Sequence, residues 1–477
     1  MVKNREKREP TFKESIFALS LVIFVILISI NTALVLETAM VLGAITAAIF
    51  ATYLGYKWED IQEGMISGIN NSLGVLMILI MIGMVVGSWI LGGTIQTMVY
   101  YGLKLLSPGI FLPSAFLLCT ITSLLIGSSF GTIATMGIVM MGVAEGLGVP
   151  AVVTAGAVVS GSIFGDKLSP MSDSTNFAAA MSDTGLFDHI GSMMYVSIPT
   201  ALTSLALYTF IGRSFLAGQS NLEQVNTLLN TLQNNFNISL LTLIPPLVVI
   251  ILSLNKTPAV KTLTASFMTA SVFAVFTQGA ALKDLINVAA NGYVSNTGVE
   301  LIDGLLTQGG VNSMMSTVAI IMAATAMGGI LEKTGVLKVI LNSLMKYIKT
   351  PRNLILATLG SAYIMLLATG EMMVSMLLPG RTLSPAYKEM NIKTNVLSRT
   401  LESAATLGCA VLPWGVVSVY IQNVLDISLG YIPYTFTPFI SPLISIIYAF
   451  LGVAVFKLDE DKEIGLENQE LKKTQSM

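Results

Sequence analysis

Charged side chains are scarce in this sequence. Asp, Glu, Lys and Arg make up 11% of its 477 residues, whereas a soluble domain usually carries about 25%. Apolar residues take their place, with 53% hydrophobic residues and a mean hydropathy of +0.77. This composition excludes an ordinary soluble globular protein. The net charge of −2 does not favour a nucleic-acid partner.

Histidine and cysteine are also nearly missing. His189 is the only histidine, and the two cysteines, Cys119 and Cys409, both lie in apolar runs. These counts argue against a His/Cys metal cluster and against a disulfide framework. The sequence has no phosphate-binding loop with its lysine and no nucleophile elbow. An enzyme and an ATP-driven pump are therefore both disfavoured.

Long apolar runs are what the sequence does contain. Examples are residues 15–34, 73–91 and 433–456, and a membrane-spanning helix needs about 20 mainly apolar residues. We count about 11–13 segments that enter the membrane. The prediction is an all-α polytopic membrane protein whose main partner is the lipid bilayer. Its oligomeric state is open, and a homodimer is one of the alternatives.

Glycine and proline residues recur at a constant offset along the chain. Gly127 and Pro170 recur 243 residues later as Gly370 and Pro413, and earlier in the chain the offset is 224. The difference corresponds to one insertion, in the polar stretch near 292–312. Further coincidences pair Gly92 with Gly335, Gly137 with Gly380, Gly165 with Gly408, Ser160 with Ser403, Asn31 with Asn255, Gly55 with Gly279 and Asp60 with Asp284. Two halves of one plan are predicted.

Lysine and arginine in short loops indicate that these halves are inverted, because basic residues mark the cytoplasmic side. The basic start "MVKNREKREPTFK" places the N-terminus inside. The loop near 31–37 has no basic residue, whereas its counterpart contains Lys256 and Lys261. The predicted organisation is a cytoplasmic tail 1–14, transmembrane repeat 15–176, connecting span and polar linker 177–237, second repeat 238–419, final span 420–456 and cytoplasmic tail 457–477.

The stretch "GSIFGDKLSPMSDSTN" (161–176) is the first candidate site. Glycine and proline are expected to interrupt an apolar helix here, and a broken helix is tolerated at membrane depth only inside protein or beside water. Oxygen atoms at close spacing suit a hard cation such as sodium. They come from Asp166, Ser169, Ser172, Asp173, Thr175, Asn176 and the carbonyl groups near Gly165. The alternative is a polar interfacial loop in which Asp166 and Lys167 form a solvated pair.

A second break is predicted at "LGCAVLPWG" (407–415). It contributes the candidates Thr406, Gly408, Pro413, Trp414 and Ser418, with Trp414 either a wall of the site or a packing anchor. Glu371, Glu402 and Arg399 are accessory candidates, since charges at membrane depth are usually functional. Arg399 and Glu402 lie on one helical face and are expected to form a structural ion pair. His189 is expected to be an interfacial histidine, and a pH-sensing role is the alternative, because histidine changes its charge near neutral pH.

Two long motifs connect these candidates to a family. "SGSIFGDKLSPMSDSTNFAAAMSDTGLFDHI" resembles the signature of the NhaC-type sodium/proton antiporters, which include malate/lactate antiporters, and "SRTLESAATLGCAVLPWGVV" resembles their second-half motif. The resemblance implies an inverted-repeat secondary transporter of the bacterial cell membrane, with helical hairpins entering from each side. Sodium and protons are then the transported species, and no cofactor is implied. Asp166 or Asp173, shielded from water, would hold either a proton or sodium.

The second motif also departs from the family pattern. Ser403 follows Glu402 where a second acidic residue is usual, and Gly415, Val416 and Val417 stand where polar residues are usual. A roomier, more apolar second half would leave space for an organic solute. The alternative function is therefore a sodium- or proton-coupled exchanger of a carboxylate, such as malate or lactate, or of an amino acid.

Overall fold

The structure is a computed structural model that describes residues 7–31, 35–215, 222–255 and 257–458. Its regular elements in these ranges are helices, apart from one isolated bridge between Ile392 and Lys457. The all-α prediction is confirmed. The predictions for most of the two tails, for part of the loop near 31–37, for Lys256 and for 216–221 concern residues outside the described ranges.

Eleven helices lie in the first half of the described chain and eleven in the second. The first eleven are α1 (Phe12–Asn31), α2 (Leu36–Tyr53), α3 (Trp58–Leu91), α4 (Thr94–Leu105), α5 (Pro108–Ile126), α6 (Ser129–Thr132), α7 (Ile138–Leu147), α8 (Ala151–Asp166), α9 (Asp173–Met181), α10 (Leu186–Ser214) and α11 (Leu222–Asn235). The others are α12 (Ile244–Leu254), α13 (Ala259–Gln278), α14 (Leu282–Asn291), α15 (Glu300–Leu306), α16 (Met315–Lys333), α17 (Val336–Met345), α18 (Pro351–Thr369), α19 (Met372–Glu389), α20 (Thr394–Gly408), α21 (Val416–Val424) and α22 (Thr437–Leu451). A π-helical turn, Ile133–Gly137, joins α6 to α7 without a break.

Nine helical segments of the described residues are long and apolar enough to cross a membrane. A tenth candidate consists of Val225–Asn235 and Leu240–Leu252, which meet at a bend of 94°. Three shorter apolar helices, α8, α17 and α22, accompany them. The prediction of a multi-pass membrane protein is confirmed, and the expected 11–13 segments include these shorter helices.

Equivalent residues start and stop helices in the two halves. α5 and α18 each begin with proline and end at a glycine with positive φ, 70° at Gly127 and 67° at Gly370. Glycine adopts this left-handed conformation without the steric cost that a Cβ brings. The first turn of α3 is capped by Asp60, whose carboxylate accepts the Lys57 N–H at 3.2 Å. Asp284 caps α14 in the same way, 224 residues later.

One predicted pairing needs correction. Gly335 has φ 77° and directly precedes α17, and the residue with the same conformation before α4 is Gly93, at φ 80°. The sequence comparison paired Gly335 with Gly92, which ends α3 with φ −81°. The segment from Gly335 to the start of α18 is one residue longer than the segment from Gly93 to the start of α5, and this difference accounts for the shift.

The inserted residues interrupt the second copy of a long helix. α3 runs unbroken for 34 residues, whereas its second-half counterparts, α14 and α16, are separated by residues 292–314, which contain α15. This segment folds back onto α3, where the Gly310 N–H donates to the Gly83 carbonyl at 2.6 Å. A Cβ at Gly83 would lie within 2.4 Å of the Gly310 carbonyl oxygen, and a Cβ at Gly310 would collide with the backbone of Gly292.

Equivalent turns lie at opposite ends of α3. Glu63, near the start of α3, pairs with Lys333 at the end of α16, so these two helices run antiparallel. Gly93 follows the other end of α3 and lies against Gln278. Gln278 precedes the turn at Gly279, which is the counterpart of the turn at Gly55 before α3. This is the arrangement that inverted halves require. The division into two repeats with the stated boundaries stays a prediction.

Candidate functional site

Two helices are interrupted at equivalent points. α8 ends at Asp166 and the chain resumes as α9 at Asp173. α20 ends at Gly408 and the chain resumes as α21 at Val416, 243 residues after Asp173. We call these segments the first break (167–172) and the second break (409–415). Each contains one proline, as expected where a helix cannot continue.

A second chain interruption meets each break. At the junction of α5 and α6, Gly127 lies against Met171 of the first break. At the junction of α18 and α19, Gly370 lies against Trp414 of the second break. The next residue caps the following helix in both halves, with Ser128 and Glu371 accepting backbone N–H groups. The protein therefore brings two helix interruptions together twice.

Asp166 occupies the first of these junctions. Its side chain is 4% exposed, and Oδ2 accepts the backbone N–H of Ser129 at 3.0 Å. That N–H belongs to the first turn of a helix that continues to Leu147, and the positive end of a helix dipole favours an anion. Oδ1 is buried and has no hydrogen-bond partner among the described residues. This oxygen is therefore free to take a proton or a cation.

Asp166 lies on the wall of a cavity of about 490 Å³. Its polar wall is formed by the first break and its surroundings, including Ser128, Thr135, Asp166, Ser172, Asp173, Ser174 and Asn176. The facing wall is mainly apolar, with Val75, Ile78, Val249, Leu263, Met372 and Met373. The predicted residues Asp166, Ser172, Asp173 and Asn176 are thus brought to one cavity. Asp173, unlike Asp166, is exposed.

The other predicted residues of the first break stabilise its backbone. Ser169 Oγ accepts the Met171 N–H at 3.3 Å, and Thr175 Oγ1 donates to the Lys167 carbonyl at 3.0 Å. Asn176 also donates its amide protons to carbonyl groups of the break. Gly165 brings α8 against the Thr120 carbonyl of α5. These groups hold the broken segment in shape, since buried backbone groups must find partners.

The alternative of a solvated Asp166–Lys167 pair is wrong. Lys167 is 1% exposed and Asp166 is 4% exposed. The Lys167 ammonium group donates to Ser441 Oγ at 3.3 Å and lies 5.3 Å from the centre of the Phe164 ring. A buried ammonium group is costly, and the sequence pattern does not indicate the contact with Ser441, 274 residues away.

The second break carries no carboxylate at the equivalent positions, because Cys409 stands in the place of Asp166 and Val416 in that of Asp173. Trp414 donates its indole N–H to the Leu367 carbonyl at 3.1 Å. Ser418 shares a hydrogen bond of 2.8 Å with Tyr431. The described residues that line the cavity do not include Gly408, Pro413, Trp414 or Ser418. In this conformation the second break is packed against the junction of α18 and α19, and Trp414 is a buried residue of that contact.

The predicted Arg399–Glu402 ion pair is wrong, since no contact joins the two side chains among the described residues. Glu402 instead faces His189, with 3.1 Å between Oε2 and Nε2. The Arg399 guanidinium group donates to Ser192 at 3.3 Å. Helical spacing put both side chains on one face, but partners on neighbouring helices decide their contacts. Thr406 also lies here and donates to Glu402 Oε1 at 3.4 Å.

His189 is not interfacial but fully buried. The sequence analysis named His189 but not its contact with Glu402, because that partner lies 213 residues away on another helix. The available signal was its rarity, as the only histidine of a chain rich in apolar residues. Glu371, the other accessory candidate, is 2% exposed and caps α19 through the Val374 N–H at 2.7 Å.

Comparison with known proteins agrees with this arrangement. The model of the Na⁺/H⁺ antiporter family matches residues 10–175 and 161–453. The Na⁺/H⁺ antiporter NhaC of Alkalihalophilus pseudofirmus is 37% identical, over 88% of this chain and 90% of its own length. The malate-2H⁺/Na⁺-lactate antiporter of Bacillus subtilis is 34% identical, over 94% and 96%. The arginine/ornithine antiporter ArcD of Halobacterium salinarum is 32% identical, over 96% and 95%. This chain is a multi-pass membrane protein that belongs to the Na⁺/H⁺ antiporter family.

Proposed function

We propose that this protein exchanges sodium ions for protons across the membrane, and that Asp166 is the group for which the two ions compete. One observation carries the proposal. Asp166 is buried where two helix interruptions meet and lines a cavity, and its buried Oδ1 has no hydrogen-bond partner among the described residues.

The chemistry follows from the surroundings of this carboxyl group. Burial disfavours an isolated negative charge, so an empty site favours the protonated acid. A sodium ion at Oδ1 would compensate the charge of the ionised form, which the Ser129 N–H already stabilises at Oδ2. Proton and sodium thus exclude each other at one oxygen. Hydroxyl and carbonyl oxygens near Ser172 and Ser128 are available to complete the sodium shell.

Asp173 has a different proposed role. It is exposed and lines the same cavity as Asp166. When it is ionised, a carboxylate on a cavity wall attracts cations. We assign the titrating role to Asp166 and the attraction of sodium into the cavity to Asp173. The N-terminus is proposed to be cytoplasmic and the two halves inverted, so that alternating exposure of one site drives the exchange.

A second candidate function is the exchange of an organic solute. The cavity of about 490 Å³ falls within the range of small-molecule sites, about 300–1,000 Å³, and exceeds what one sodium ion fills. Two relatives are named for organic solutes, malate and lactate in one case and arginine and ornithine in the other. These observations favour a carboxylate or an amino acid as the solute, coupled to sodium or protons.

Proteoliposomes with an internal pH dye test both candidates. A proton gradient is imposed, and sodium alone is added outside. We expect sodium to dissipate the gradient, Asp166→Asn to abolish the effect, and Asp173→Asn to raise the sodium concentration needed. Asp183→Asn is the matched control, since Asp183 is exposed and, within the part of the chain that the structure describes, its ion pair is with the exposed Lys388. Wild-type exchange by Asp166→Asn would contradict the proposal.

The same vesicles distinguish organic-solute exchange from sodium/proton exchange. If sodium alone has no effect, while flux appears with malate, lactate or arginine present, the organic exchanger is the correct function. Asp166→Asn should abolish this flux too if the carboxyl group is the coupling site.

A further inference from the structure

A line of hydrogen-bonded side chains leads away from the cavity. Ser172, on the cavity wall, lies 3.1 Å from Ser174 through their hydroxyl oxygens. Ser174 donates to Glu402 Oε1 at 3.0 Å, and Glu402 Oε2 lies 3.1 Å from His189 Nε2. The other imidazole nitrogen, Nδ1, lies 2.7 Å from Ser398 Oγ. Four contacts therefore join five side chains from three helices and the first break.

All five side chains are buried, and His189 and Glu402 are 0% exposed. Removing two ionisable groups from water is expensive, and such a pair is weak evidence for stability. Ionisable residues that face the interior of a membrane protein often mark ion pathways. The proposed exchange at Asp166, however, requires neither His189 nor Glu402.

The histidine can hold one proton or two without any movement of heavy atoms. Ser398 has one hydroxyl proton and two acceptors within reach, His189 Nδ1 and the Asn395 carbonyl oxygen at 3.1 Å. With a neutral imidazole, the hydroxyl group donates to Nδ1. With an imidazolium ion, Nδ1–H donates to Ser398 Oγ and the hydroxyl group turns to Asn395. Every donor is satisfied in both states.

The line ends close to an exposed surface. Ser398 lies one helical turn, about 6 Å, from Thr394, the first residue of α20. Thr394 Oγ1 donates to the carbonyl group of Asp183, which is exposed together with its partner Lys388. The five side chains therefore extend from the cavity wall towards the exposed end of α20.

We propose that His189 and Glu402 form a second proton-binding site, linked to the cation cavity through Ser174 and Ser172. A proton on the pair passes from imidazolium Nε2 to Glu402. The carboxylic acid group then turns and donates this proton to Ser174, whose hydroxyl group releases its own proton to Ser172, and Ser172 in turn releases one into the cavity. The number of protons is conserved at each step. The inference rests on the proposed exchange at Asp166 and extends it by a second proton.

The elements packed against the pair carry titratable groups of both signs. They are Asp166 at the end of α8, Lys167 in the first break, Asp173 on α9, Asp188 on α10 and Arg399 on α20. The packed helices α18, α19 and α22 contribute the tyrosines Tyr363, Tyr387 and Tyr448. Asp166 and Lys167 both interact electrostatically with Glu402. Exchange of a proton for sodium at Asp166 leaves the charge there unchanged, whereas sodium that binds beside an already ionised Asp166 adds a positive charge and therefore opposes a proton on the pair.

The single histidine permits a direct test. The full-length protein, purified with a tag that lacks histidine, is labelled with ¹⁵N-histidine and placed in lipid nanodiscs. The imidazole nitrogen resonances then belong to His189 alone. We expect them to titrate within the pH range of the proteoliposome assay, and the midpoint to fall when sodium is added. A histidine that keeps one protonation state throughout would overturn the proposal, as would a midpoint that sodium leaves unchanged.

Ser174→Ala tests the link, with Ser197→Ala as the matched control, because Ser197 is a buried serine of α10 whose hydroxyl group has no partner among the described residues. Ser174→Ala should leave the titration and its sodium-dependent shift in place but reduce sodium-driven proton flux, and Ser197→Ala should change none of these. Unchanged flux in Ser174→Ala would contradict the serine link. Sodium-driven proton flux is measured on the same wild-type preparation, so failure of exchange itself is distinguished from failure of the second proton site.

Discussion

Replacing Gly165 with alanine tests whether the contact between α8 and α5 positions Asp166. A Cβ at residue 165 would lie 2.2 Å from the Thr120 carbonyl oxygen, whereas ordinary contact begins at 3.4 Å. The end of α8 would have to move away by about 1.2 Å to relieve this overlap. Asp166 is the next residue. Its 3.0 Å hydrogen bond to the Ser129 N–H would lengthen to about 4 Å, beyond hydrogen-bond range.

The expected effect on sodium binding follows from that bond. A hydrogen bond to a charged group contributes about 1.5–3 kcal/mol, and it stabilises the ionised carboxylate more than the protonated acid. Its loss favours the proton over sodium. Since 1.4 kcal/mol corresponds to a factor of ten, the sodium concentration for half-maximal flux should rise about 10- to 100-fold in Gly165→Ala. Overpacking should also lower stability by about 1–3 kcal/mol.

The assay is sodium-driven proton flux in proteoliposomes at fixed pH, with thermal unfolding in detergent as the second measurement. Gly74→Ala is the matched control, because nothing lies within 4 Å of a Cβ at that position of α3. Alanine there should leave the half-maximal concentration unchanged. Reduced stability of Gly165→Ala with wild-type sodium dependence would refute the idea that this contact positions the carboxyl group.

Three further predictions concern packing, topology and the second acidic junction. Tyr208→Phe should destabilise the protein by about 1–3 kcal/mol, because the buried hydroxyl group lies within 2.9 Å of three oxygens; thermal unfolding checks this against the exposed Tyr347→Phe. Cysteines at the exposed, equivalent positions Lys57 and Ala281 should react with an impermeant maleimide from opposite sides of the membrane, and labelling from one side would contradict inverted halves. Glu371→Gln keeps an acceptor oxygen for the helix cap and should retain sodium-driven flux, which identifies Glu371 as a capping residue if flux is unchanged and as a transport residue if it is lost.

Local backbone chemistry made the helix interruptions predictable. Glycine and proline end helices through their own conformational limits, so Gly127, Pro170 and their counterparts could be read from the sequence without knowledge of the fold. The polar residues placed near the first break were predictable for the same reason. Four of them line the cavity, while others bond to the backbone of the break.

Contacts between distant helices were not predictable in this way. Arg399 and Glu402 share a helical face, but Ser192 and His189 of α10 determine where their side chains lie. Lys167 looked solvated because it follows an aspartate in a polar stretch, yet it is buried against Ser441 of α22. A helical period assigns a face and leaves open which helix covers it.

The acidic residues of the two junctions lie at different points of the backbone, and we infer that this difference decides which junction exchanges ions. At the first junction a serine caps the helix after the interruption, and Asp166 at the break keeps its Oδ1 without a hydrogen-bond partner among the described residues. At the second junction the cap is Glu371, whose Oε2 accepts the Val374 N–H at 2.7 Å, and the described cavity lining does not include this residue. The neighbouring break position is Cys409, whose thiol donates to the Gly370 carbonyl at 3.4 Å. The same backbone plan thus forms an open acidic cavity at one junction and a closed, internally bonded contact at the other, and we expect the exchanged ions to bind at the first.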